Sequence, residues 1–166
     1  MPAIFKPESM EFSLGPFNKS PFGLLTVIPN LCKQVNAKNL VFDIRKLPPG
    51  EYSFPYHFHR NAEEVMLVMK GSMTLRSAEG FHIVKEGEVL FFETGEGGAH
   101  QFFNHTADPC TYFDVKTYYG MDVVVYPDSG KIMISQYNEI FEKEAQVDYF
   151  RDETDVAKQW REAEGR

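Results

Sequence analysis

His57-Phe58-His59-Arg60-Asn61-Ala62-Glu63-Glu64 places two histidines two positions apart and follows them with two adjacent carboxylates. On an extended strand, side chains at i and i+2 share a face. The two imidazoles then stand roughly 7 Å apart along the chain and can converge on one ion. Arg60 to Glu63 is a short polar stretch able to turn the chain. The following strand returns beside the first and brings Glu64 up to the histidines. Glu63 is the competing carboxylate, and strand parity separates the two, because neighbours on a strand face opposite sides. A further histidine, His100, shares its strand face with Phe102 and Asn104. His82 and His105 have no histidine or carboxylate at ligand spacing and are read as surface or hydrogen-bonded residues.

Working outward, residues 39–135 alternate short apolar runs with turn signals at close spacing, the pattern of an all-β sandwich or barrel. About ten strands are legible there, with no long helix between them, so parallel βαβ folds are excluded. In the strand before the histidines, Leu40, Phe42 and Ile44 alternate with Val41, Asp43 and Arg45, and Arg45 is expected to point outward. Residues 1–38 read as an N-terminal arm with one or two short strands. Residues 136–166 read as a tail, with a short C-terminal helix over 155–162 whose Trp160 docks on the barrel.

The chain has 166 residues, enough for one domain with a real core. Fifteen Phe and eight Tyr lean the composition toward strands. The net charge is −7 and no basic stripe is visible, which argues against nucleic acid or anionic lipid as partner. There is no apolar run long enough for a transmembrane helix and no signal-peptide pattern at the start. Cys32 and Cys110 are far apart and in no CxxC pairing, so two free thiols and a cytoplasmic location are expected.

Two motifs carry a resemblance to the cupin superfamily. Its first motif runs from a glycine through His-x-His and Glu to a second glycine. Gly50, His57-Phe58-His59, Glu64 and Gly71 are similar to it, with six residues rather than five between Gly50 and His57. The second motif runs from a glycine through Pro-x-Gly and His to Asn. Gly87, Glu93-Thr94-Gly95, His100 and Asn104 resemble it, with Glu93 in place of the proline and two extra residues before the histidine. An alternative alignment uses Gly97. Tyr126-Pro127-Asp128 resembles a subgroup of small bacterial cupins of unassigned activity.

The resemblance implies a double-stranded β-helix, a jelly-roll-like barrel, with His57, His59, Glu64 and His100 as metal ligands. Three imidazoles and a carboxylate suit one divalent transition metal ion, Fe, Mn, Ni or Zn. Cupins with this ligand set include dioxygenases, isomerases, decarboxylases and metabolite-binding proteins. The expected function is a metalloenzyme of isomerase or dioxygenase type acting on a small polar metabolite. The alternatives are a binding or sensing module and an ion that only supports the fold. Tyr52, Tyr56 and Glu93 are candidate rim residues, and the Gly95–Gly98 loop is a candidate gate. A homodimer is expected, since the arm has no core of its own.

Overall fold

The computed structural model describes residues 2–15 and 17–163. Its strands are β1 (Phe12–Leu14), β2 (Leu25–Val27), β3 (Leu40–Leu47), β4 (Phe58–His59), β5 (Glu64–Lys70), β6 (Ser72–Ser77), β7 (Gly80–Lys85), β8 (Val89–Phe92), β9 (His100–Phe103), β10 (Cys110–Thr117), β11 (Val123–Tyr126), β12 (Lys131–Ile134) and β13 (Glu139–Glu142). Two short helices accompany them, α1 (Leu31–Gln34) and α2 (Val156–Ala163). The architecture is mostly β, and no helix among the described residues is long and apolar enough to cross a membrane.

Three sheets form the domain. The largest has the order β1-β2-β3-β10-β5-β8, and the others are β13-β12-β11-β4 and β7-β6-β9. All named strand pairings are antiparallel. The sheets do not close into a continuous barrel; they pack as a jelly-roll-like sandwich. The segment around β4 joins the two smaller sheets. Phe58 and His59 pair with Val125 and Val124 of β11, while His57 exchanges backbone hydrogen bonds with His100 at the start of β9.

The interior is filled from both layers. Met66 and Val68 of β5, Met73 and Leu75 of β6, Phe102 of β9 and Tyr112 of β10 form one apolar cluster. Burying a side chain the size of Phe102 contributes roughly 1.5–3 kcal/mol. Gly71 makes the β5–β6 turn at φ +87°, and a side chain there would press on the Cys110 backbone at 3.3 Å. Glycine adopts this left-handed conformation without the Cβ penalty.

The outer face of β3 and β10 is buried too. Phe42, Ile44 and Phe113 pack against Val27 and Leu31, and against Phe5, Met10 and Phe12 of the N-terminal segment. This overturns the expected orientation of Arg45. The apolar side of β3 faces the arm, and the side with Val41, Asp43 and Arg45 lines an interior cavity. Both faces of the strand are covered, so alternation alone does not say which is inside. Polar groups are tolerated on the inner face when they are paired there, and Arg45 pairs with Asp114.

The C-terminal helix forms close to where expected, but Trp160 is 68% exposed and Val156 51% exposed. The expected docking of Trp160 does not occur. An i, i+4 pair makes a stripe too narrow to bury against a sheet, and helical spacing carries no information about a docking surface.

Candidate metal centre

Three histidines and one carboxylate come together, but not by the expected return of β5 beside the histidine strand: β4 pairs with β11, and Glu64 comes from β5 in the large sheet. His57 and His100 face each other as a backbone-bonded antiparallel pair, with ring centroids 4.7 Å apart. His59, two residues on, places its ring 5.2 Å from that of His57. Glu64, the first residue of β5, reaches across so that Oε2 lies 3.6 Å from His59 Nε2 and 3.6 Å from His100 Nε2. All four are buried, whereas Glu63 is exposed, which is the outcome strand parity predicts for the two adjacent glutamates. No group of three or more His, Cys, Asp or Glu side chains among the described residues is drawn in to metal-ligating separations.

What surrounds the rings sets their chemistry. His57 Nδ1 lies 2.8 Å from the Pro55 carbonyl oxygen, His100 Nδ1 lies 2.9 Å from that of Gly98, and His59 Nδ1 lies 2.5 Å from Asp122 Oδ2. Each partner is an acceptor, so each Nδ1 carries the hydrogen and donates it. The Nε2 atoms are left as the free ring nitrogens. Burial, reinforced by His100 and His59, holds His57 well below the usual histidine pKa; burial likewise lowers His100. Both are neutral at pH 7 and can offer a lone pair. Phe92 stacks on the His100 ring at 3.9 Å between centroids, fixing its plane.

The glycine-rich loop, the candidate gate, braces two of the histidines. Gly95 N–H donates to the His59 carbonyl at 2.8 Å, and the Gly98 carbonyl holds His100. A side chain on Gly98 would collide with the Glu93 carbonyl. Asn104, at the end of the second motif, also braces: its Nδ2 donates to the carbonyls of Leu47 and Asp108 at 2.8 and 2.9 Å.

The histidines and Glu64 line a cavity of about 660 Å³ whose walls include Leu24, Phe54, Met66, Phe102, Val124 and Met133. Phe102 therefore both packs the core and lines the cavity. Tyr126 is in the wall as well, its ring 6.1 Å from that of His57. Among the proposed rim residues, Tyr52 packs between Phe22 and Phe103, Tyr56 lies under Arg76 and Glu93 is exposed; none lines the cavity. His82 is exposed, and exposed His105 bonds Thr74.

Sequence reasoning passed over Asp122. It is 4% exposed, holds His59, lies 3.4 Å from Lys116 Nζ and accepts from the Asn61 N–H at 3.4 Å. Burial works to raise its pKa, but the hydrogen bond from His59 and the nearby charge of Lys116 bring it below the ordinary carboxylate value. Its signal in the sequence was a lone acid opening the apolar run Met121–Tyr126.

Residues 44–116 match the Cupin domain family. A comparison with proteins of curated function returns no match. Among solved structures, a sugar phosphate isomerase of the cupin superfamily from Silicibacter pomeroyi superposes with a TM-score of 0.74. It is 20% identical, and the match covers 89% of this chain and 98% of that one. A protein provisionally named a sugar phosphate isomerase, from Acidithiobacillus ferrooxidans, gives 0.74 at 18% identity over 87% of this chain and 95% of that one. The polyketide cyclase RemF from Streptomyces resistomycificus gives 0.57 at 21% identity, covering 70% of this chain and 80% of that one. At these identities the likeness establishes the fold.

Proposed function

We propose, from the premise that this chain is a small protein of the cupin superfamily with its Cupin domain at residues 44–116, that it is a metal-dependent enzyme acting on a small molecule in the cavity. The proposed ligands of one divalent transition metal ion are His57, His59, Glu64 and His100, and the reaction is of isomerase or dioxygenase type. The observation that carries this reading is the common state of the three imidazoles: each Nδ1 is tied to an oxygen acceptor, leaving three Nε2 atoms free. Holding a ring by its second nitrogen is the arrangement that orients metal-ligating histidines.

Bound there, such an ion supplies Lewis-acid polarisation of a ligand oxygen. The chain's own contribution is to orient the donors and exclude water. Phe92, Phe102 and the apolar walls do the second, which strengthens electrostatic interactions inside the cavity. The expected result is close to one equivalent of Fe, Mn, Ni or Zn per purified chain, with turnover in a metabolite panel assayed for oxygen uptake and, anaerobically, for isomerisation. A chain that takes up no such metal even after exposure to it would refute the reading. Thermal stabilisation by a metabolite without turnover would indicate a binding or sensing protein instead.

A cytoplasmic location belongs to the same proposal, in keeping with the free cysteines Cys32 and Cys110. So does a homodimer. The arm covers the outer face of β3 and β10 within the chain itself, but the neighbouring outer face of β5 and β8 is bare. There Val65 pairs with Phe91 and Leu67 with Val89, and all four are exposed. Apolar strips of this kind mark interaction surfaces. Light scattering should return about twice the 19.1 kDa chain mass, and Phe91→Glu should return the monomer.

A further inference from the structure

The cavity wall is charged against the sense of the chain. The whole sequence carries a net charge of −7. The lining nevertheless holds Lys19, Lys33, Arg45, Lys116 and Lys131 against three carboxylates, Asp43, Glu64 and Asp114. Two of those cations are committed. Arg45 lies on Asp114, and Lys116 Nζ is 3.4 Å from Asp122. Asp43 is satisfied without a cation, by the Leu31 N–H, the Asn30 amide and the Thr26 hydroxyl. Lys19, Lys33 and Lys131 form no ion pair among the described residues. A concave surface of one sign gathers ligands of the other.

Among the three, Lys19 and Lys33 are exposed on the N-terminal segment, whereas Lys131 is half-buried at the start of β12. Strand parity turns Lys131 and Met133 into the cavity, while Ile132 between them packs on the other side with Phe58 and Val125. Its cross-strand neighbour on β11 is Tyr126. Lys131 Nζ stands 5.0 Å from the centre of the Tyr126 ring, and that ring lies 6.1 Å from the His57 ring, so the ammonium is at most about 11 Å from His57. The Tyr126 hydroxyl donates to the Met133 sulfur at 3.8 Å, a weak acceptor that a better one would displace. On its far side Lys131 is in register with Glu142 of β13, which is exposed and makes no ion pair with it. An inward lysine costs desolvation that an apolar residue at the same position would not, and the face of a tyrosine offsets only part of it.

We infer that the cavity's ligand is a small organic anion and that Lys131 selects it by charge. The Lys131 ammonium and the Tyr126 hydroxyl hold the anionic group, a phosphate or a carboxylate, and the rest of the ligand extends toward the histidines. Lysine meets either group as a point charge with three donors. The inference rests on the reading that the cavity binds a small molecule. It deepens that reading by giving the ligand's charge and its orientation, and it does not depend on the metal.

The test is isothermal titration of the full chain with ribose, ribose 5-phosphate and ribonate, the metal content of each preparation being measured alongside. Wild-type protein is expected to bind at least one of the two anions about ten-fold or more tightly than ribose, the effect of one charge-assisted hydrogen bond. Which anion is preferred separates phosphate from carboxylate. The preference should shrink as sodium chloride is raised. Lys131→Met keeps a side chain of similar length without the charge, and should bring the preference below about two-fold with metal content unchanged. Lys131→Arg should retain most of it, and Lys85→Met, exposed on β7 outside the cavity, should retain all of it. The inference is overturned if ribose binds as tightly as both anions, if none of the three binds, if the wild-type preference is indifferent to salt, or if it survives in Lys131→Met. It is also overturned if Lys131→Met loses its metal, since Lys131 would then support the centre and not the ligand. Metal-free wild-type protein that still prefers an anion would refute the metal reading and leave this inference standing, and metal-loaded protein without the preference would do the reverse.

Discussion

Alanine at His100 is expected to leave the purified protein with less than about a tenth of the wild-type metal content. His100 contributes one of three free Nε2 atoms, and it is placed by two independent constraints, the backbone pairing with His57 and the Gly98 carbonyl on Nδ1. Losing one of four donors from a buried site leaves a cavity where water cannot readily restore the ligand, because Phe92 and Phe102 pack around it. His82→Ala is the control. His82 is exposed on β7, so elemental analysis should find its metal content unchanged. The glutamates give a second comparison. Glu64→Gln should weaken metal binding, since it removes the anionic oxygen lying 3.6 Å from both His59 and His100, whereas Glu63→Gln should have no effect. Full occupancy in the His100 variant would exclude the four-ligand assignment.

Asp122→Ala is expected to weaken metal binding by about ten- to one-hundred-fold, the usual effect of removing a carboxylate that orients a ligating histidine. The 2.5 Å contact to His59 fixes which nitrogen carries the hydrogen and how the ring is turned. Without it His59 can rotate or change tautomer, and Lys116 loses its partner close to the site. Asp122→Asn keeps an oxygen acceptor but loses the charge, so it should fall between alanine and wild type. Competition with a chelator of known affinity measures the change. Asp128→Ala serves as the control: Asp128 pairs with Arg76 at 2.6 Å on the surface, and its loss should not alter metal affinity. If Asp122→Ala binds metal as tightly as wild type, the carboxylate is a structural tie between β4 and β11 only.

The four clustered side chains were legible in the sequence because each depends on short-range geometry. His57 and His59 share a face by strand period, Glu64 is separated from Glu63 by parity, and His100 lies in a second motif of recognisable spacing. The mostly-β class followed from turn spacing and aromatic content for the same reason. Period and turn chemistry are properties of a few consecutive residues, and they survive whatever the rest of the chain does.

Arg45, Asp114 and Asp122 were not legible because their roles exist only across strands. Arg45 and Asp114 lie on β3 and β10, and His59 and Asp122 meet through the pairing of β4 with β11. Alternation on β3 showed two unlike faces but not which one the arm would cover, and Phe5, Met10 and Phe12 decided it by packing on Phe42 and Ile44. Trp160 failed in the opposite sense, since its helix forms without a surface to receive it. By itself the sequence determined the local periods, the turns and the ligand-type residues carried on them. The tertiary structure alone decided which face became the cavity and which charges met inside it, because burial and electrostatic pairing depend on residues far apart in the chain.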